Sequence, residues 1–236
     1  MPTRSPSRIM PETKKPGFKV AKPKAAKKEP ENVPIYEPNI KEPTCRAELL
    51  KYWINLSLND KTANKMLWIT DGGNKVMRRS GEVCPCLDNP ERYDYSPQVL
   101  CKQSLFGARG YWEVEYSGWV VIGATYEAVG RKGCDGPCGL GENETSWALE
   151  WSGAYYQAWH NGVNTEIRNI PHCSTIGVYL DQPAGIINFY LVQGGSEGEE
   201  LKEVKLLHRI QAEITQKILP GFWMGINSSC TLLRKE

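Results

Sequence analysis

Cys84 and Cys86 in "CPC", with Cys134 and Cys138 in "CDGPC", are the residues whose type and spacing come nearest to metal chemistry. Four thiolates are enough to enclose one zinc ion. The C-x-C spacing is too tight for an ordinary zinc knuckle, however, and C-x3-C stands alone, so no metal is expected. Other pairings are weaker. His172 and Cys173 in "PHC", read as neighbours on a strand, point to opposite faces, which denies the thiol its base. Glu113 and Glu115 share a face, yet nothing near them in sequence supplies the desolvation that acid–base work needs. G-x-S-x-G, H-E-x-x-H, the P-loop and the Rossmann glycine fingerprint are all missing. The expectation is a chain that is not an enzyme, with no cofactor and no small-molecule substrate.

What remains is binding, and composition narrows the partner. Residues 1–43 hold ten Lys/Arg against five Asp/Glu and nine of the sixteen prolines, while the rest is mildly acidic within a net charge of +2. So few large apolar side chains cannot offset the entropy of ordering a backbone, so 1–43 is expected to be a disordered basic tail ahead of one domain, 44–236. Lysines in "FKVAKPKAAKKEP" would bind phosphates only weakly and without an aromatic platform. Nucleic acid is therefore not an expected partner. With no apolar leader and no run of about eighteen apolar residues, a membrane is not expected either, and the location expected is cytoplasmic, with the nucleus as alternative. In that compartment the eight cysteines are thiols, and Cys45, Cys101, Cys173 and Cys230 read as small apolar residues beside strands.

The elements that must carry a binding surface are short. One helix is predicted from Cys45 to about Trp53, with Thr44 as N-cap and Leu49, Leu50 and Trp53 on its apolar face. Thereafter apolar runs alternate with turn residues: "MLWIT", "YWEVEY", "WVVIGATY", "SWALEW", "AYYQAWH", "IGVYL" and "IINFYLV". Turns recur too closely for crossover helices, which predicts a mostly β, antiparallel sandwich. In "YWEVEY", Trp112, Val114 and Tyr116 face the core; "WVVIGATY" is apolar throughout and requires burial on both faces.

"PERYD" (90–94), "YWEVE" (111–115), "SWALEW" (146–151), "IGVYLDQPAGIINFY" (176–190) and "LPGFW" (219–223) occur in the order found in the PRY-SPRY (B30.2) domain, which this chain resembles from about Leu56 to Leu233. "CRAELLKYWINLSL", "RKGCDGPCGLG" and "LLHRIQ" resemble its fish branch: tripartite-motif proteins, NLR-type receptors and stonefish toxin subunits. The resemblance implies a PRY part at about 44–105 and a SPRY part at about 106–236. "LNDKTA" (58–63) departs from the family's proline-stiffened opening, and "GGSEGEELKEVK" (194–205) is longer and more acidic than its usual connection. The implied function is recognition of a partner protein by loops at one end of the sandwich and an adjoining concave strand surface, in ubiquitin-linked or innate-immune signalling. No RING, B-box or long heptad pattern is present, so any ligase step would come from another polypeptide or a longer isoform. Two rivals follow from other features: a toxin-like membrane-active subunit fragment, or a nucleic-acid adaptor working through the tail. Some family members hold phosphorylated ligands in a basic pocket, for which this sequence clusters too few cations.

Strand parity and loop position select the candidate contacts. Trp147, Leu149 and Trp151 share a face that the family resemblance implies is internal, which turns Glu150 and Ser152 outward. Tyr156 and Ala158 look internal, leaving Tyr155, Gln157 and Trp159 on the opposite face; Trp68 is outward between Leu67 and Ile69. Loops add Arg92, Tyr93 and Asp94, then Arg131 and Lys132, with Trp119 at a turn exit and Trp223 after "LPGF" near the family's usual pocket. Rigid aromatics for contact area, with charges for specificity, are what partner recognition needs.

Overall fold

The computed structural model describes residues 36–127, 130–132, 138–194 and 202–235. The disorder expected for 1–35, the thiol of Cys134 and most of the acidic 194–205 connection lie outside the described residues. A single turn of helix, α1 (Arg46–Leu49), runs into a 3-10 turn at Leu50–Tyr52. The strands are β1 (Leu67–Thr70), β2 (Lys75–Arg78), β3 (Gln98–Leu100), β4 (Arg109–Ser117), β5 (Val120–Tyr126), β6 (Ser146–Trp151) and β7 (Tyr156–His160). They continue with β8 (Val163–Ile167), β9 (Thr175–Asp181), β10 (Ile186–Gln193), β11 (Glu203–Gln211), β12 (Ile218–Met224) and β13 (Ser228–Leu232). Two antiparallel sheets result, one ordered β1-β2-β13-β4-β9-β10-β11 and the other β3-β12-β5-β6-β7-β8.

The alternation written into the strands decides how these sheets meet. Trp112, Val114 and Tyr116 of β4 enter the space between them, and Ile122 and Ala124 of β5 meet them there with Trp147 and Leu149 of β6, Tyr156 of β7, Phe189 of β10 and Phe222 of β12. Each large side chain so buried stabilises the fold by about 1.5–3 kcal/mol before entropy is counted. A hydroxyl pair crosses this apolar layer: Tyr116 Oη and Tyr156 Oη lie 2.7 Å apart, and Tyr156 Oη also accepts from the Cys173 amide at 3.1 Å. β5 is buried along its whole length, as its continuous apolar run requires. The β7–β8 hairpin turns through Asn161 (φ 51) and Gly162 (φ 70), two positive-φ positions that suit an Asn-Gly pair.

α1 covers the outer face of the seven-stranded sheet. Leu49 packs with Tyr111, Tyr179 and Tyr190. Beneath it Glu113, 1% exposed, accepts from Arg46 Nε at 2.7 Å, from Arg46 Nη2 at 3.0 Å and from Tyr111 Oη at 2.7 Å. Nothing adjacent in sequence announced this burial; it comes from a helix 67 residues away. The helix N-cap is Cys45 rather than Thr44, and Cys45 is exposed, not packed beside a strand. Thr44 instead donates its amide to Glu48 at 2.7 Å. His172 and Cys173 precede β9 rather than lying in it; the buried Cys173 thiol donates to the carbonyls of Thr175 and Val192.

Residues 36–43, counted with the tail in the sequence, are held against this same sheet as a strap. Arg109, paired with Asp181 at 2.7 Å, donates to the Glu37 carbonyl at 3.0 Å, and its guanidinium lies 4.4 Å from the centre of the Tyr36 ring. Glu42 accepts from Arg209 Nη1 and Asn188 Nδ2, each at 2.6 Å. Burial pushes the Glu42 carboxyl up, but the hydrogen bonds from Arg209 and Asn188 with the Arg209 charge outweigh it and leave its pKa below the ordinary value. A carboxyl depressed in this way contributes stability above its free pKa and loses it as pH falls through the docked value. The strap is therefore expected to release in acid, below about pH 4.5. Backbone amide resonances of 36–44 should move in that range and be already displaced at neutral pH in Glu42→Gln; unchanged resonances would show that the ion pair does not hold the strap.

Candidate functional site

The outer face of the six-stranded sheet is where strand register assembles side chains that the sequence scatters. Trp223 of β12 lies opposite Val121 of β5, Val121 opposite Glu150 of β6, and Glu150 opposite Gln157 of β7; one step along, Ala148 lies opposite Trp159. Trp119 joins them from the turn before β5, its ring centre 5.0 Å from that of Trp223 at an interplanar angle of 57°. Trp119 Nε1 donates to Glu150 Oε1 and Trp159 Nε1 to Glu150 Oε2, both at 2.6 Å. One carboxylate thus holds two indoles by their edges. Between them opens a cavity of about 290 Å³ lined by these three tryptophans, Val121, Glu150 and the loop residues Gly139, Leu140 and Glu142.

The loop is fixed from several sides. Leu140 N donates to Gln98 Oε1 at 2.9 Å, Gly141 N to Ser146 Oγ at 2.8 Å and Gly139 N to Glu142 Oε2 at 2.9 Å. From the β7–β8 turn, Gly162 N donates to the Gly141 carbonyl at 2.9 Å and Asn161 N to that of Asn143 at 3.1 Å. Gly141 (φ +84) passes so near Trp159 that a Cβ there would lie 2.4 Å from the Trp159 Cβ. Gly141→Ala is expected to cost about 1–3 kcal/mol through the forbidden φ alone, with the clash added. Urea denaturation reads the loss, and displacement of the Trp159 indole N–H resonance would report the shifted wall.

The remaining candidates fall in different places. Tyr155, 41% exposed, occupies the β6–β7 turn, which Ser152 closes by donating Oγ to the Tyr155 carbonyl at 3.1 Å. Gln157 is half-buried beside Glu150 and does not line the cavity. Trp68 is half-buried on β1, an edge strand of the other sheet, and is not brought to this face. Asp94 and Lys132 pair at 2.9 Å, Lys132 also reaches Asp88 at 3.1 Å, and Arg131 lies 5.8 Å from the Tyr93 ring. Lys132, Asp88 and Asp94 thus satisfy one another near the surface, while Arg131 donates to the Glu127 carbonyl at 3.0 Å.

The structure corrects the expectation for two residues and refines a third. Arg92 is only 5% exposed, its guanidinium donating to the carbonyls of Ala63, Asp60 and Leu87, so it staples the loop instead of meeting a partner. Tyr93 is fully buried. Glu150 does face outward from its strand but is covered to 6% exposure. Val121, Leu140, Gly141 and Glu142 were not read as site residues; the "GLGE" turn signal marks a loop, yet nothing in it says which face the loop returns to. Among the described residues no three potential metal ligands cluster, and Cys84, Cys86 and Cys138 are free thiols. No helix among them is long and apolar enough to cross a membrane.

Comparison with known proteins agrees with this architecture. The family model "SPRY-associated domain" (PRY) matches residues 56–105 and "SPRY domain" matches 109–234. Stonustoxin subunit beta of Synanceia horrida is 34% identical over 192 residues, covering 80% of this chain and 26% of the toxin subunit. Tripartite motif-containing protein 16 of Mus musculus is 30% identical over 191 residues, 80% of this chain and 33% of that protein. The chain therefore spans a third or less of the length of these relatives. The crystal structure of the TRIM65 PSpry domain superposes with a TM-score of 0.71 at 24% identity, covering 83% of this chain and 99% of that domain, and establishes the shared fold.

Proposed function

This chain belongs to the SPRY family, with the associated PRY segment ahead of the SPRY domain, and from that premise we propose that it captures a partner protein in the cavity between Trp119, Trp159 and Trp223. The domain is a protein-interaction module of a generally non-enzymatic kind. Proteins concentrate binding energy in a few well-packed aromatics, and Trp is among the residues most enriched at such points. The observation that carries the proposal is the pair of indole N–H bonds to Glu150: two large rings are held rigidly beside an open cavity before any ligand arrives. Rigid placement lowers the ordering entropy that binding must overcome.

Around the cavity the same end of the sheet presents further contact area. Trp119 (46% exposed) and Ile226 follow one another across the β4–β5 and β12–β13 turns, and Tyr95 precedes β3 at that end. We place the recognition in ubiquitin-linked or innate-immune signalling, in keeping with the likeness to a tripartite motif-containing protein, and, on the sequence alone, in the cytosol or nucleus. Paired purification with the unmodified chain and with Trp159→Ala, followed by direct binding of the purified candidate, tests the proposal. A partner that binds the chain and not the variant supports it; partners held equally by both would move recognition to another face.

A further inference from the structure

We infer that the cavity takes the guanidinium of an arginine side chain presented by the partner, an inference that rests on the outer sheet face being the binding surface. Among the described residues three carboxylates are more than nine-tenths buried: Glu113, Asp181 and Glu150. Glu113 meets Arg46 and Asp181 meets Arg109, each at 2.7 Å. Glu150 has no cation among the described residues; its two oxygens meet only the indole N–H groups. A buried carboxylate is costly without a countercharge, and two neutral donors compensate it only in part. The missing charge has a place to enter, because Glu150 lines the cavity.

The rest of the lining selects the cation. Glu142 adds a second carboxylate, and no Lys, Arg or His lines the cavity among the described residues. The indole edges of Trp119 and Trp159 are occupied by Glu150, so the rings offer a ligand their faces, where a cation is attracted. A guanidinium suits these walls better than an ammonium. It is planar, stacks on aromatic faces, is less strongly hydrated and presents a fork to carboxylate oxygens. About 290 Å³ admits one side chain. An apolar side chain would bury Glu150 further with no countercharge, and a phosphate would meet two carboxylates.

Random peptides displayed on phage and panned against the full chain, keeping clones lost on Trp159→Ala, test this. Arginine should be enriched at one position of the retained clones. Replacing it by glutamine in a synthetic peptide should weaken binding at least tenfold, replacing it by lysine less so, and adding peptide should shift the indole N–H resonances of Trp119 and Trp159. Glu150→Gln should lose affinity similarly; because that change also alters the indole contacts, weakening of the unmodified complex by salt provides a second readout. Clones that depend on Trp159 but tolerate glutamine for arginine would overturn the inference while leaving the partner-binding face intact. Recovery of no Trp159-dependent clone would sink both.

Discussion

Trp159→Ala is expected to weaken binding of a pocket-directed ligand by about 2–4 kcal/mol, roughly 30- to 1000-fold, the range of an interface hot spot. Two losses combine. The indole surrenders a large apolar wall of the cavity, and Glu150 Oε2 loses a donor at 2.6 Å in a place that water reaches poorly. The effect on folding should be smaller than the about 3–5 kcal/mol for removing a core tryptophan such as Trp112, because Trp159 is half-buried and packs on the outer face rather than between the sheets. Isothermal titration with a selected peptide, beside thermal melting followed by circular dichroism, separates the two. Gln157→Ala, next to Glu150 but outside the cavity, should change affinity little. If Trp159→Ala unfolds the chain as Trp112→Ala does, the indole is core and the binding assignment is lost.

The largest stability effect is expected at the opposite face. Arg46→Met should destabilise the domain by about 3–5 kcal/mol, because it removes the cation from a carboxylate that is 1% exposed. Tyr111 Oη would still donate to Glu113 but carries no full charge. Replacing both partners, Arg46→Met with Glu113→Leu, should recover much of the loss, since an apolar pair needs no solvation. Urea denaturation of both single variants and the double variant gives the coupling directly. Additive losses would mean that the two side chains stabilise the domain independently. The same pair holds α1 on its sheet, so Arg46→Met should also perturb the Tyr111 and Tyr179 environments in near-ultraviolet dichroism.

How far such features could be read from sequence depended on whether a strand had two unlike faces. β4, β6 and β7 did: alternation at Trp112/Val114/Tyr116, Trp147/Leu149 and Tyr156/Ala158 states which side turns in between the sheets, though not that the other side of β4 and β6 is covered too. β8 (Val163–Ile167) is exposed at four of five positions and was unread, since an edge strand needs no apolar face to be held by its neighbour. β11 is mixed for the same reason. Loops were harder. "PERYD" looked like surface because its charges are typical of surface, but Arg92 donates through Nη1 and Nη2 to three backbone carbonyls, which offsets much of the cost of burying its guanidinium. Parity turned Glu150 outward correctly and was silent about the loop that covers it. The pocket is a product of long-range return, and periodicity is local.

The β7–β8 turn gives that return a further meaning. Asn161 and Gly162 hold the carbonyls of Asn143 and Gly141, so the position of one wall is set from a turn whose own two residues do not line the cavity. An insertion of one residue in that turn would re-aim Leu140 and Glu142 with every lining residue unaltered. Descendants of this sequence can thus drift in what they recognise by editing a remote hinge of the scaffold, keeping the ring-and-carboxylate trio as inherited.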